Sequence, residues 1–434
     1  MAESVINSYF PSQVVSDAEK LSYDYGLKVA KAIEQEWFYD DRQSTRYDAN
    51  FNDFHKLRLY ARGEQSVQKY KDELSINGDL SYLNLDWTPV PIIPKFVDIV
   101  VNGIAERAYD IKAYSQDPYG VAKRTQYMES ILGDMATKEM NDFAAEEFGI
   151  NLYQNDPEKL PETQEELELH MQLTYKQAVE IAEEQAINVL LEGNQYDLIK
   201  RQFYNDLTVL GIGAVKTNFT TSEGVIIEYV DPADLVYSYT ESPYFDDIYY
   251  VGEVKTIPIN ELAKQFPHLT QSDLEEIQQS GYTQRSNYHN SGPRYHDVDK
   301  NKVQVLYFNY KTYMNEVYKV KETGSGADKL IEKDDTFNPP AGAEGNFSKL
   351  ERSIETLYEG ALILGTNKLL KWEMSENMMR PKSNFTKVKM NYSIVAPHMY
   401  KGKIQSLVKR ITGFADMIQL THLKLQQVLS RMVP

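Results

Sequence analysis

The fold is decided by residues 207–266, LTVLGIGAVKTNFTTSEGVIIEYVDPADLVYSYTESPYFDDIYYVGEVKTIPINELAKQF. Helical spacing ends at Gly211 and Gly213, and apolar and polar side chains then alternate over residues 214–219. Alternation with a period of two is typical of a half-buried strand. The turn-forming residues 221–224 lead to a second strand predicted over 225–230. This stretch therefore predicts a β-hairpin that follows directly on a helix.

A short turn and a third strand complete this stretch. Asp231 precedes Pro232; an aspartate carboxylate can accept hydrogen bonds from backbone N–H groups, and proline suits the first position of a turn. Strand-like residues 248–254 lead into residues 257–266, a short helix that Pro267 ends. We therefore expect an α+β fold.

Outside this stretch, helical and strand-like blocks alternate. Three prolines among residues 85–94 exclude an interior helix or a central strand there, and an apolar helix over 96–105 follows, with a strand expected over 109–113. Further helices are predicted over 18–37, 121–148, 164–191, 196–210 and 270–279, the last capped by Ser272 with Glu275 and ended by Gly281. Strands are predicted over 302–310, 316–321 and 353–364, with a flexible insertion over 322–348.

The composition bounds the classes of function. The 434 residues suffice for two or three domains or for one elongated subunit of several parts, and the net charge of −18 argues against a protein that grips nucleic acid along its whole surface. An alternative interpretation of the negative charge is that it only keeps the protein soluble. Without cysteine, the chain forms neither disulfides nor thiolate metal sites. Because its start lacks a secretory signal and no apolar run approaches ~18 residues, we expect a soluble protein with no membrane segment.

The last block, residues 397–434, carries an apolar stripe in alternating steps of four and three. Such a stripe is the pattern of helices packed side by side. At ~1.5 Å per residue, the block would form a rod roughly 50 Å long. We expect neighbouring copies to pack along it through the candidate interface residues Ile404, Val408, Ile411, Ala415, Ile418, Leu425 and Leu429.

A basic band overlaps this stripe. Residues 381–415 contain seven lysines and arginines and no aspartate or glutamate. The band has three interpretations: pairing with an acidic neighbouring subunit, contact with DNA phosphates, or a solvated helix face whose lysine stems cover apolar surface. On a helix, Lys403 and Arg410 would share a face that borders the stripe, which favours pairing between subunits. The members on or beside the last helix are Lys401, Lys403, Lys409 and Arg410.

No motif predicts catalysis, and we expect no cofactor and no metal site. The nearest match to a phosphate-binding loop is residues 360–365, but Thr366 and Asn367 follow where lysine and serine or threonine belong. His289 and His296 lie in one polar stretch, but without the spacing or the carboxylate neighbours of a metal site.

The ordered series of motifs resembles the wing region of tailed-phage portal proteins. That family often carries a YGxGxxK strand start, a VDPxD turn, and a strand leading into a helix that ends in FP. The corresponding residues are 210–216 (LGIGAVK), 230–234 (VDPAD) and 262–267 (LAKQFP), with Leu210 where a tyrosine is common. A YxxGxQ motif near the start, common in portals, matches residues 60–65. The tyrosine-rich, cysteine-free composition is similar to that of crAss-like gut phages.

The resemblance implies a structural protein and not an enzyme. It implies a dodecameric ring at one capsid vertex, beside the major capsid protein, through which genomic DNA enters and leaves. Terminase would dock during packaging, and tail or adaptor proteins would take its place later. By position, the N-terminal arm would be residues 1–45, the wing 46–256, the first stem segment 257–281, the clip 282–392 and the second stem helix 393–434, with the family's crown beyond. The implied locations are the virion and, during assembly, the host cytoplasm.

Two other classes of protein remain as alternatives. A nuclease built on scattered acidic residues would cleave DNA with a divalent metal, and a monomeric adaptor or scaffold protein would form no ring. Oligomeric state and metal-dependent cleavage separate the three.

Overall fold

The structure, a computed structural model, describes residues 9–39, 45–75, 85–106, 111–156, 160–173, 175–221, 224–288, 301–322, 328–338 and 347–432. These residues form an α+β fold. The chain divides into two compact units, a main unit of Met1–Ala105 with Leu198–Pro434 and an inserted unit of Glu106–Asp197.

The helices in chain order are α1 (Asp17–Lys20), α2 (Tyr23–Phe38), α3 (Arg46–Arg62), α4 (Gln68–Leu74), α5 (Ile93–Ala105), α6 (Pro118–Ala136), α7 (Lys138–Phe148), α8 (Gln164–Leu173), α9 (Ala178–Gly193), α10 (Tyr196–Val209), α11 (Ile259–Gln265), α12 (Gln271–Tyr288) and α13 (Leu407–Met432). The strands are β1 (Gly213–Thr220), β2 (Gly224–Val230), β3 (Leu235–Tyr237), β4 (Tyr250–Pro258), β5 (Lys302–Glu322), β6 (Asp328–Lys333), β7 (Phe347–Ile363), β8 (Leu369–Met374), β9 (Tyr392–Val395), β10 (Met399–Tyr400) and β11 (Lys403–Ile404).

The predicted hairpin is confirmed. β1 and β2 pair antiparallel with Thr220 opposite Gly224, whose φ of 76° lies in the left-handed region that favours glycine. β9 pairs with the other edge of β1, so this small sheet has the order β2-β1-β9. Ala214 and its partner Val230 are buried at the base of the hairpin.

A larger antiparallel sheet has the order β3-β4-β5-β7-β8, with β6 also paired to β5. The two strands predicted over 302–310 and 316–321 are one strand, β5, because β7 pairs with it without a break from Val305 to Lys321. β6 occupies part of the predicted insertion, whose residues 323–327 and 339–346 lie outside the described residues.

The two sheets do not follow the domain boundaries suggested by the resemblance. Strands placed in the clip, β5 to β8, share a sheet with β3 and β4 from the wing. The boundaries at 256/257 and 392/393 fall inside β4 and β9. The division into wing, stem and clip stays a prediction.

Apolar clusters join helices to both sheets of the main unit. One cluster packs α3, α5 and α13 against the small sheet and the adjoining part of β4. A second packs α2 against the large sheet, where Trp37 Nε1–H donates to the Tyr250 hydroxyl at 3.0 Å. A third packs α11 and α12 against β5 and β7. Helix α2 lies within the predicted N-terminal arm, yet Val29 and Ile33 are fully buried, so it is part of the core.

The predicted turn at Asp231 is confirmed. Asp231 Oδ1 accepts the backbone N–H of Ala233 at 2.9 Å, and Pro232 opens the 3-10 turn Pro232–Asp234. Arg58 on α3 also donates to both carboxylate oxygens of Asp231, from Nη2 at 2.6 Å and from Nη1 at 3.0 Å. A bidentate pair of this kind fixes orientation as well as position. It therefore ties the turn to α3, a contact that the sequence did not predict.

Asp206 lies buried beside this ion pair. Its carboxylate is 3.6 Å from Arg58 Nη2 and accepts the hydroxyl of Tyr229. Burial disfavours the charged form and raises the pKa of Asp206 to about 6, although Tyr229 and Arg58 oppose the shift. The contact between Asp206 and Tyr229 joins α10 to β2 at the base of the hairpin.

Three predicted helices have different limits in the structure. The helix predicted over 164–191 is two, α8 and α9, because Gln177 is extended and its N–H donates to Glu180 at the start of α9. The block predicted over 121–148 likewise divides into α6 and α7. Helix α12 is capped by Thr270, whose Oγ1 accepts the N–H of Asp273, in place of Ser272, and it continues through Gly281 to Tyr288.

The last helix also differs from its prediction. Helix α13 begins at Leu407, and residues 392–404 form β9 and the β10–β11 hairpin. Lys401 and Gly402 turn this hairpin with φ of 47° and 72°, the left-handed pair that two-residue hairpin turns require. The helix is accordingly shorter than the predicted rod, roughly 40 Å at 1.5 Å per residue.

Candidate functional site

Helix α13 has an inner face that belongs to the core of the main unit. Val408 is 0% exposed and Ala415 is also buried, in the cluster formed with α3 and α5. Ile404, just before the helix, and Ile411 are half-buried against the same cluster. These four residues make their apolar contacts within one copy of the chain.

Polar contacts fix the same face of α13. Gln419 accepts the backbone N–H of Val90 at 2.9 Å and donates to the carbonyl of Thr88 at 3.3 Å. The proline-rich segment before α5 therefore lies against the helix, where its backbone groups find partners that a sheet would otherwise supply.

Asp416 is a second polar anchor of α13. It accepts the hydroxyls of Tyr60 at 2.9 Å and Tyr70 at 2.7 Å, and Lys69 Nζ lies 2.5 Å from its Oδ1. Burial acts to raise the pKa of Asp416, but these donors outweigh it and hold the pKa below its ordinary value. The charged carboxylate thus joins α13 to α3 and α4.

The outer face of α13 is apolar and exposed. Phe414 is 65% exposed, Ile418 44% and Leu425 56%, and steps of four and seven along a helix keep these three on one side. The exposed apolar side chains of this outer face are Phe414, Met417, Ile418, Leu425, Val428, Leu429 and Met432. An apolar helix face of this size is typical of an interaction surface.

The seven predicted interface residues therefore do not share one face. Val408, fully buried, has no surface left for a neighbouring copy, and Ile404, Ile411 and Ala415 face the same core. Ile418, Leu425 and Leu429 lie on the outer face, together with Phe414, Met417 and Val428, which the sequence did not single out. Periodicity alone missed this distinction, since α13 carries apolar side chains on both faces.

The four basic residues singled out in the sequence lie in three settings. Lys401 is in the β10–β11 turn, and Lys403 is in β11, before the helix begins. Lys403 and Arg410 therefore do not share a helix face, contrary to prediction. Lys409 Nζ pairs with Asp53 on α3 at 2.6 Å, and Arg410 is exposed.

A cleft of about 820 Å³ opens beside β1, over the face of the large sheet formed by β5, β7 and β8. Lys371 Nζ donates to Glu359 at 3.0 Å on its floor, and Ser375 Oγ donates to the same carboxylate at 2.8 Å. Burial opposes ionisation, but these partners hold the pKa of Glu359 below its ordinary value. Asn309, 6% exposed, has an Nδ2 without a hydrogen-bond partner. The floor thus carries a charged carboxylate that is already paired, beside a buried amide donor without a partner.

The phosphate-loop match is a coincidence of spacing. Gly360 lies inside β7, where a Cβ would come 2.2 Å from the ring of Phe308, so the glycine allows a close approach within the sheet. His289 and His296 lie outside the described residues. Within the described part of the chain, no group of three or more His, Asp or Glu side chains is placed to hold a metal ion. Among the same residues, no helix is long and apolar enough to cross a membrane.

No protein-family model matches the chain, and no curated protein matches it significantly.

Proposed function

We propose that the chain is a portal protein of a tailed phage: copies assemble into a ring, expected to be a dodecamer, that serves at one capsid vertex as the conduit for genome packaging and ejection. The observation that carries the proposal is the exposed apolar outer face of α13, on a chain whose hairpin, VDPAD turn and short helix follow the order of motifs typical of portals. In a ring, such a face is covered by the next copy.

Burial of the outer face of α13 would favour assembly. Full burial of a large apolar side chain contributes about 1.5–3 kcal/mol. Seven such side chains, each already partly covered, would contribute on the order of 5–10 kcal/mol per interface before the costs of association. In a ring each copy takes part in two such interfaces, one with each neighbour.

The proposed role needs no catalysis in this chain. Terminase would hydrolyse ATP while docked on the ring, tail or adaptor proteins would replace it, and the major capsid protein would surround the vertex. The net charge of −18 suits a conduit, because tight binding of DNA requires many cations that each neutralise a phosphate.

Imaging of the purified full chain tests this proposal. We expect closed rings with a central channel in negative stain, and no cleavage of duplex DNA in Mg²⁺ or Mn²⁺. Metal-dependent cleavage would instead support a nuclease, and single copies at micromolar concentration would support an adaptor or scaffold protein. Either result would overturn the proposal.

A further inference from the structure

We propose that the outer face of α13 in one copy packs against the inserted unit, Glu106–Asp197, of a neighbouring copy. This inference rests on the proposed ring and names the two surfaces that meet in it.

The inserted unit buries few of its own apolar side chains. Among its described residues, the buried apolar side chains are Ile131, Leu167 and Met171. Its exposed large apolar side chains are Tyr114, Tyr119, Val121, Met128, Leu132, Met140, Phe143, Phe148, Ile150, Leu152, Leu169, Val179, Ile181, Ile187 and Val189. A monomeric protein rarely leaves so much apolar surface in water, so this unit carries a docking surface.

The inserted unit also concentrates the negative charge of the chain. Residues 106–197 contain 20 aspartates and glutamates against 7 lysines and arginines, a net charge of −13 out of the total of −18. Repulsion from phosphates makes nucleic acid a poor partner for such a surface. Its partner should instead be apolar and cationic.

The outer face of α13 has both properties. Arg410 and Lys424 are exposed beside its apolar side chains. The helix has one acidic residue, Asp416, and that carboxylate is already bound by Lys69 and two tyrosines. The face therefore offers a neighbour positive charge with no exposed carboxylate to offset it.

Symmetry requires two different surfaces. A surface that pairs with itself closes at a dimer, whereas a larger ring joins one patch to a different patch on the next copy. Self-pairing of α13 would also bring the like charges of Arg410 and Lys424 together. The acidic inserted unit supplies the second patch, with complementary charge.

Helix α7 is one part of the inserted unit that carries both properties. Met140 and Phe143 are exposed at helical spacing, and Glu146 and Glu147 are exposed one turn further on. This combination of apolar and acidic side chains complements the apolar and basic side chains of the α13 outer face.

The absence of cysteine allows a direct test of this contact. Thr421, exposed between Ile418 and Leu425, is changed to cysteine and labelled with a benzophenone maleimide in the full chain. Rings mixed from isotopically light and heavy chains are irradiated and digested, so that mass spectrometry separates contacts between copies from contacts within one. We expect adducts between copies in residues 106–197, and none there from Gln271→Cys, an exposed control on α12.

Charge exchange provides an independent test. Arg410→Glu with Lys424→Glu makes the α13 face acidic, and Glu146→Lys with Glu147→Lys makes α7 basic. Each double variant alone should lose its rings, because like charges then meet at every interface. An equimolar mixture should recover them, since alternating copies restore opposite charges at both interfaces.

The results distinguish this inference from the proposed ring itself. Rings whose adducts between copies fall outside residues 106–197, or charge variants that the mixture does not rescue, would overturn the inference while the ring stands. A wild-type chain that forms no ring would overturn both.

Discussion

Two exposed residues of α13 provide the sharpest perturbation of assembly. Ile418→Asp with Leu425→Asp places two carboxylates on the outer face, where about half of each native side chain remains exposed in a single copy. Loss of that apolar burial costs about 1.5–3 kcal/mol for the pair. Covering two carboxylates without partners adds a few kcal/mol. A loss of about 5 kcal/mol per interface weakens association by roughly three to four orders of magnitude.

The same substitutions should leave each copy folded. Both positions are exposed, and surface changes usually alter the free energy of unfolding by less than about 0.5 kcal/mol each. Val408→Asp is the contrasting variant, because it buries a carboxylate in the core and should unfold the main unit. Light scattering after size exclusion reports assembly, and circular dichroism reports folding. Rings at normal yield from the exposed double variant would show that the outer face of α13 is not the contact between copies.

Three further predictions concern the fold and the basic band. Burial raises the pKa of Asp206 from 3.8 to about 6. The stability that this group contributes is therefore fully present below about pH 4 and is lost as the pH rises through 6, a loss of roughly 3 kcal/mol. Asp206→Asn should remove this pH dependence from urea unfolding curves. Gly360→Ala should destabilise the main unit by about 1–3 kcal/mol because its Cβ meets the Phe308 ring, whereas Gly413→Ala, with open space around it on α13, should raise the thermal midpoint. Rings should bind linear duplex DNA weakly at physiological salt in fluorescence anisotropy, and Arg410→Glu, on the outer face of α13, should lower ring stability more than DNA affinity; tight binding that this change abolishes with rings intact would place the band in the channel.

Local signals predicted the hairpin, the turn and the helix after the prolines. The signals are the alternation over residues 214–219, the short-range chemistry of Asp231 and Pro232, and the apolar spacing of the segment that forms α5. Each of them depends only on residues that are close together in the sequence. These features need no knowledge of distant parts of the chain.

Long-range contacts account for most of what the sequence missed. Residues 392–395 form a strand because the edge of β1 accepts them, and Arg58 holds Asp231 from a helix far away in sequence. The sequence also did not reveal which face of α13 packs into the core of the main unit. Ile411→Asp, which the sequence stripe alone would suggest as an assembly variant, alters the core of the chain itself.

The charge and burial of the inserted unit show both what the sequence can predict and what it cannot. Its net charge of −13 can be read from the sequence, but only the structure separates these residues as a unit and shows how few of their apolar side chains are buried. The apolar spacing in α6 to α9 predicts helices with a core, and the structure leaves much of that apolar surface exposed.

Native mass spectrometry of the full chain measures directly whether its copies close into a ring. We expect a single closed species whose mass is a whole multiple of 50.1 kDa, with twelve copies giving about 600 kDa. The Ile418→Asp, Leu425→Asp variant should shift the spectrum to the single chain. A wild-type spectrum that shows only the 50.1 kDa chain at micromolar concentration would rule out the proposed ring.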